Sequence, residues 1–361
     1  MKMSLQLGRV MGIPIKLHFT FLLVLPFFSW IFASDVTLGF GLVKDPLLRY
    51  SLGTVAAVLL FVCVLLHELG HSFVAKRHGA VIQNITLFLI GGVSSMEEIP
   101  RNPKVELKMA LAGPLVSFFI GVFSLAGVSI FNSIYLPPLS PYIRLVWIIG
   151  WINIVLFVFN LLPAFPMDGG RVLRAWLAQH ISYIQATHVA ASIGKLLAVL
   201  MGITGLIAPN PWLIFIALFV YVGASEEEKA TVVSVKLEHV KVGDIMSTQV
   251  VSVPPDMSVE ELVDFMFRHK HMGYPVMDGE RILGIVTLTD VQKVPRERRR
   301  EVRVRDVMSY PVLSVSSSEK ADRALRLISG KRVGRVLVVD GDRLTGIISR
   351  TDLIRALELL N

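Results

Sequence analysis

Long apolar runs fill the first part of the 361-residue chain, and mixed polar sequence fills the rest. The change falls at Gly223–Ser225. Six spans can be drawn before it, over residues 17–33, 54–76, 105–131, 143–162, 187–207 and 211–223. A helix crossing a bilayer needs about 20 apolar residues, so the first and last spans are marginal. Between the second and third, residues 80–96 read AVIQNITLFLIGGVSSM. This stretch is rich in β-branched and aromatic residues, carries a Gly91-Gly92 break and lacks a helical period, which predicts a short β element at the membrane edge. Lipid cannot satisfy an open strand edge, so the element must be shielded by protein or line a wet cavity. An ordinary cytoplasmic hairpin is the alternative.

The polar half repeats itself. Asp244-Ile245-Met246 recurs 62 positions later as Asp306-Val307-Met308, and the segment from Asp278 to Asp290 recurs from Asp340 to Asp352. Each unit predicts a short strand, a helix (259–270 and 320–329), two strands joined by an Asp-Gly turn, and a closing helix.

Composition strengthens the division. The chain is 53% hydrophobic and only 18% charged, as membrane proteins are. Lys2, Arg9 and Lys16 precede the first apolar run, but they are scattered and no small-residue cleavage site follows, so the run is read as a retained span. Residues 1–16, 76–108 and the segment with Arg171 and Arg174 are basic, while 34–51 and 132–142 are poor in cations. The positive-inside rule then puts both termini in the cytoplasm of a multi-pass protein of the cell membrane. A single cysteine, Cys63, excludes an internal disulfide and a cysteine-rich metal site. The net charge of +8 favours a membrane surface or bound phosphates over nucleic acid.

The second span carries His67-Glu68-Leu69-Gly70-His71. Histidines four apart share a helix face and can both reach one ion, for which Zn²⁺ suits nitrogen donors. Glu68 projects about 100° around the helix from His67, beside the ion as a proton acceptor without being forced to ligate it. The bland reading is a chance match around satisfied histidines. Three ionisable groups within five residues at bilayer depth weigh against it. Span four runs into Asn160-Leu161-Leu162-Pro163-Ala164-Phe165-Pro166-Met167-Asp168-Gly169-Gly170. Two prolines break the helix, two glycines permit unusual backbone angles, and a carboxylate at that depth needs a partner. A third zinc ligand is one account of Asp168, leaving a fourth position for water. A helix cap in a cytoplasmic turn is the other.

Together these stretches resemble the site-2 protease family of intramembrane metalloproteases. The His-Glu-x-x-His run matches its zinc motif, and Asn160, Pro163, Pro166, Asp168, Gly169 and Gly170 match its N-x-x-P-x-x-P-x-D-G-G motif. Leu111-Ala112-Gly113-Pro114 resembles a further family feature. The resemblance implies one zinc ion per chain on His67, His71 and Asp168, Glu68 as general base, and Asn160 near the substrate carbonyl. It also implies a transmembrane protein substrate received by the β element.

The repeats resemble a pair of CBS domains. Such pairs bind adenine nucleotides through G-h-h-[ST]-x-x-D segments, which implies Thr287, Thr289, Asp290, Ser349, Thr351 and Asp352 as a nucleotide site; packing or homodimerisation is the plainer role. The joining segment 295–305 holds six arginines, read as a solvated linker or a contact to phosphate or anionic lipid, and its lack of aromatics argues against nucleic acid. The expected architecture is a membrane domain of about six transmembrane helices with a short β element (1–224), a linker (225–239), and soluble α/β CBS repeats over 240–294 and 302–361. The expected function is intramembrane zinc endopeptidase. Its rival is a CBS-regulated ion transporter or channel using the same three ligands. That rival has no need of Glu68, and no pair of inverted, interrupted spans is evident.

Overall fold

The computed structural model describes residues 4–88, 91–96, 102–134, 140–331 and 333–359. It contains two compact units, Met1–Lys229 and Ala230–Asn361. The first opens with strands β1 (Ser4–Val10) and β2 (Ile13–His18), where the sequence predicts a basic flank and the start of a span. Ile13 and Ile15 are buried while Pro14 and Lys16 are half-buried, the period-2 pattern of a strand. Because Leu17 and His18 belong to β2, the first apolar helix α1 (Phe21–Ser34) has only 14 residues.

Helix α2 (Pro46–Arg77) begins at Asp45, whose carboxylate accepts the Leu47 N–H at 3.0 Å, with Pro46 in the first turn. Strands β3 (Ile82–Phe88) and β4 (Gly91–Met96) follow and pair antiparallel. Gly91 and Gly92 lie inside β4 and do not break the element; residues 89–90 of the expected stretch lie outside the described residues. The sheet order is β1-β2-β3-β4, with β2 parallel to β3, so among the described residues β4 is an edge. Ile13, Ile15 and Ile85 bury against Leu69 of α2, seating the sheet beside the histidine motif.

The remaining helices are α3 (Pro103–Ile134), α4 (Pro141–Asn160), α5 (Asp168–Leu177), α6 (Tyr183–Ile207) and α7 (Pro211–Glu238). Among the described residues four helices are long and apolar enough to cross a membrane: Pro46–Arg77, Pro103–Phe131, Pro141–Asn160 and Tyr183–Ile207. The six expected spans become these four, the shorter α1, and the apolar first half of α7. Helix α7 runs on through Glu226, Glu227 and Glu228, so most of the expected linker is helical. Residues 135–139, within the cation-poor loop, lie outside the described residues.

The second unit holds α8 (Val242–Ile245), α9 (Val259–His269), β5 (Gly273–Asp278), β6 (Arg281–Thr287) and α10 (Leu288–Gln292). The repeat follows as α11 (Val304–Val307), β7 (Ser314–Val315), α12 (Ala321–Lys331), β8 (Arg335–Asp340), β9 (Arg343–Ser349) and α13 (Arg350–Leu359). Residues 332 and 360–361 of the second repeat lie outside the described ones. Both hairpins turn on Asp-Gly, with Gly279 at φ +61° and Gly341 at φ +64°, a conformation that costs glycine little. The entry segments are exchanged. Val242 buries with Val338, Ile348 and Leu353 of the second repeat, whereas Val304 buries with Val276, Val286 and Val291 of the first. Neither core is complete without residues from both halves.

Candidate metal centre

His67 and His71 lie on the face of α2 opposite Leu65 and Leu69, which pack on the sheet. Both histidines are buried, and their Nε2 atoms are 3.1 Å apart. Asp168 Oδ2 lies 3.1 Å from each. Helix α5 starts with Asp168 but is capped by Met167 without a side-chain bond, so the carboxylate is turned to the histidines and is not a helix cap. The two glycines after it serve close approach. A Cβ at Gly170 would come within 2.6 Å of the Phe165 nitrogen, and one at Gly169 would strike the Leu161 and Leu162 carbonyls. Neither glycine takes a positive φ, so the expectation of unusual backbone angles does not hold.

Protonation makes the triangle informative. The Nδ1–H of His71 donates to the Met109 carbonyl at 2.7 Å, which leaves its Nε2 as an acceptor in the neutral ring. His67 Nδ1 meets Ser117 Oγ at 3.0 Å. Asp168 Oδ2 accepts only. With both rings neutral, at most one proton, on His67 Nε2, is then available for three acceptor contacts, whereas one cation satisfies all three. Tetrahedral donors about 2.0–2.1 Å from zinc lie about 3.3 Å apart, close to the observed spacing. Among the described residues this is the one His/Cys/Asp/Glu cluster able to hold a metal ion.

Helix α3 builds the other wall with a single face. Glu106, Met109, Gly113 and Ser117 follow one another at three- and four-residue steps. A Cβ at Gly113 would fall on Nε2 of both histidines, 2.7 Å from that of His67, so the Leu-Ala-Gly-Pro stretch keeps open the space in front of the donors. Gly70 and Ala112 let the helices approach, since a Cβ at Gly70 would lie 2.9 Å from the Ala112 carbonyl. The sequence reading assigned Gly113 no role and missed Ser117 and Met109. Polar and small residues recurring on one face of an apolar helix are the signal that marks them.

Glu68 is half-buried and points toward β4, where the Ser94 hydroxyl donates to its Oε2 at 2.8 Å. Asn160, the last residue of α4, donates its Nδ2 to the Leu156 carbonyl at 3.0 Å, back along its own helix. Arg174 departs from expectation. Read as a basic membrane flank, it is instead buried: Nε and Nη2 reach Glu106 Oε1 at 2.9 and 2.6 Å, and Nη1 reaches Glu227 at 3.0 Å. The Tyr183 hydroxyl donates to Glu106 Oε2 at 3.0 Å, and the rings of Phe165 and Tyr183 lie 5.0 Å from the guanidinium. One paired charge thus ties α5, which carries Asp168, to the helix that orients both histidines.

In the second unit, Thr287 Oγ1 donates to Asp290 Oδ2 at 2.7 Å, and Ser349 Oγ donates to Asp352 Oδ2 at 2.7 Å. The backbone N–H of each hydroxyl residue donates to the same oxygen, closing a capping box over α10 and α13. Burial opposes ionisation of Asp290, but Lys293 at 2.8 Å and Thr287 outweigh it and hold its carboxyl below the usual range. Thr289 and Thr351 are exposed. The arginine run is partly tied down, Arg300 to Glu260 at 2.5 Å and Arg305 to Asp256.

The profile of peptidase family M50 matches residues 55–138 and 128–201, and that of the CBS domain matches 242–297 and 304–359. The zinc metalloprotease MJ0392 of Methanocaldococcus jannaschii is 42% identical over 360 residues, covering 100% of this chain and 98% of the relative. The chain belongs to peptidase family M50. Rip3 of Mycobacterium tuberculosis is 30% identical over 99% of this chain and 94% of its own. The solved site-2 protease of Methanocaldococcus jannaschii aligns with 62% of this M50 chain and 95% of its own, at 42% identity and a TM-score of 0.46. The M50 match covers the helices that carry His67, His71 and Gly113, and the CBS matches cover both repeats of the second unit.

Proposed function

We propose that this protein is an intramembrane zinc endopeptidase whose ion is held by His67, His71 and Asp168, with Glu68 as general base. The supporting observation is the triangle of Nε2, Nε2 and Oδ2 atoms at 3.1 Å, which neutral imidazoles supply with at most one proton for three contacts. Zinc, when bound, supplies Lewis acidity toward the scissile carbonyl and the attacking water. Glu68 accepts the proton as water adds to the carbonyl carbon, then delivers it to the amine as the C–N bond breaks. His71 and His67 are held in orientation through Met109 and Ser117. Asn160 uses one Nδ2 hydrogen on Leu156, which leaves its second amide hydrogen as the group able to donate to a substrate carbonyl.

A transmembrane helix hides its peptide bonds in its own hydrogen bonds, so the substrate must unwind. The outer edge of β4 offers replacement partners by strand addition. The basic segments support an orientation with both termini in the cytoplasm of a cell-membrane protein. The division of labour is a protease domain over 1–224, a connecting stretch over 225–239 and a CBS module over 240–294 and 302–361. That module binds an adenine nucleotide, with the exposed hydroxyls of Thr289 and Thr351 as the available phosphate donors and the Asp290 and Asp352 carboxylates at the ribose. It also offers a homodimer contact.

The testing experiment is Glu68→Gln in the purified full chain. Rate should fall by about 10²–10⁴, as for loss of a general base, with zinc content and substrate binding kept. Wild-type cleavage by Glu68→Gln refutes the mechanism.

A further inference from the structure

Glu68 has three rotatable side-chain bonds and sits one residue from His67, so its position has to be set by something outside α2. Among the described residues, the one donor to its carboxylate is Ser94 Oγ, at 2.8 Å from Oε2. Oε1 takes no hydrogen bond among the described residues. Gly92, two residues earlier on the same face of β4, lies against the stem: a Cβ there would be 2.5 Å from Glu68 Cγ. Ser72, one helical turn beyond Glu68 and fully buried, brings its hydroxyl to 3.5 Å from that of Ser94. The carboxylate arm is therefore held by backbone at Gly92 and by a hydroxyl at Ser94, with one oxygen anchored and the other left for water.

We propose that Ser94 is a positioning residue for the peptidase reaction, acting through Glu68, so that the edge strand β4 sets the geometry of the base. This rests on the reading of Glu68 as general base. β4 pairs with β3 on one side, Ser94 lying opposite Ile85, and its other side is the sheet edge. A substrate strand added there keeps Gly92 and Ser94 in register on the Glu68 arm. The strand that orients the base is thus the one whose free edge receives the unwound substrate, which brings that substrate beside an already positioned Glu68. A hydrogen bond to an ionised carboxylate is about twice as strong as a neutral one, and the loss of orientation falls on the chemical step, not on binding.

The test uses the full chain in proteoliposomes with a fluorescently tagged single-span fusion protein selected for cleavage by the wild type. Steady-state kinetics, zinc content and binding of the same fusion are measured for Ser94→Ala, Ser94→Thr and Glu68→Gln. Ser94→Ala should lower kcat about tenfold or more, with KM within about twofold and zinc content unchanged. Ser94→Thr, which keeps the hydroxyl, should recover most of the loss. An unchanged kcat in Ser94→Ala, a rise in KM alone, a parallel loss of zinc, or no rescue by threonine overturns the proposal. The two failures are separable. A fully active Glu68→Gln removes the base itself, whereas an inactive Glu68→Gln beside a fully active Ser94→Ala removes only the role of Ser94.

Discussion

Asp168 in the membrane unit and Asp290, Asp340 and Asp352 in the CBS unit all stand at motif positions, yet their oxygens are used in opposite ways. Asp168 Oδ2 faces two imidazole nitrogens with, for neutral rings, one proton at most among the three. The CBS carboxylates face hydroxyl, N–H and ammonium donors: Thr287 and Lys293 from the same turn for Asp290, Ser349 from the same turn for Asp352, and Ser316 and Ser317 from the segment after β7 for Asp340. A carboxylate left among acceptors calls for a cation. A carboxylate wrapped by hydroxyls and N–H groups is already satisfied, and it caps or closes a turn whether or not a ligand arrives. The difference separates a candidate metal centre from a scaffold whose Thr289 and Thr351 hydroxyls are exposed.

Substitutions can break this contrast, and the largest effect is expected at Asp168. Asp168→Ala should weaken zinc binding by more than the roughly 100-fold upper range for outer-shell changes, because it removes a donor outright. Metal analysis after dialysis against a graded chelator reads this directly, and undiminished occupancy would remove Asp168 from the centre. Next, Ser117→Ala should cost about 10–100-fold in zinc affinity by freeing the His67 ring, with the fold intact. The same competition assay checks it, and an unchanged affinity would make Ser117 a packing residue only.

The CBS carboxylates should respond in stability and not in metal content. Ser349→Ala removes the hydroxyl at the start of α13 and should lower stability by about 1 kcal/mol, read from denaturant midpoints, with zinc unchanged. The smallest effect is the pH response of Asp340. Hydrogen bonds from Ser316 and Ser317 depress its carboxyl to about 2 from an ordinary 3.8. Its folded value is the lower one, so its stabilising contribution is fully present above pH 4 and is lost as pH falls from about 4 toward 2. Asp340→Asn should flatten that part of the stability profile. A profile identical to wild type would mean that the turn contributes nothing through ionisation.

The legible parts of this protein are those whose chemistry is local. Histidines four apart with an adjacent Glu fix their own geometry, because helix periodicity alone sets where the side chains point. The Asp-Gly turns of the repeats carry their conformation in the glycine, and the long apolar spans announce themselves by length. The N-terminal strands were hidden because Arg9 and Lys16 made residues 1–16 read as a basic flank, while Leu17 and His18 were counted into the first span. The helical linker was hidden because the charges Glu226 to Glu228 break hydropathy without breaking the helix.

Sequence by itself determined the candidate ligand types, their spacing on α2, the division into membrane and repeat halves, and the period of the repeat. Tertiary structure decided which distant groups meet. It brings Asp168 back onto the histidines through a turn that only Gly169 and Gly170 fit, and it makes Gly113 the open wall of the site. It buries Arg174 with Glu106 where charge counting made it a flank. It exchanges the entry segments of the CBS repeats, since Val242 and Val304 each find their apolar partners in the other half. Local preference acts through a few neighbouring residues and can be read along the chain. Contacts between residues a hundred positions apart depend on how helices and strands pack, because close packing and the pairing of buried polar groups are settled only once the whole fold is assembled.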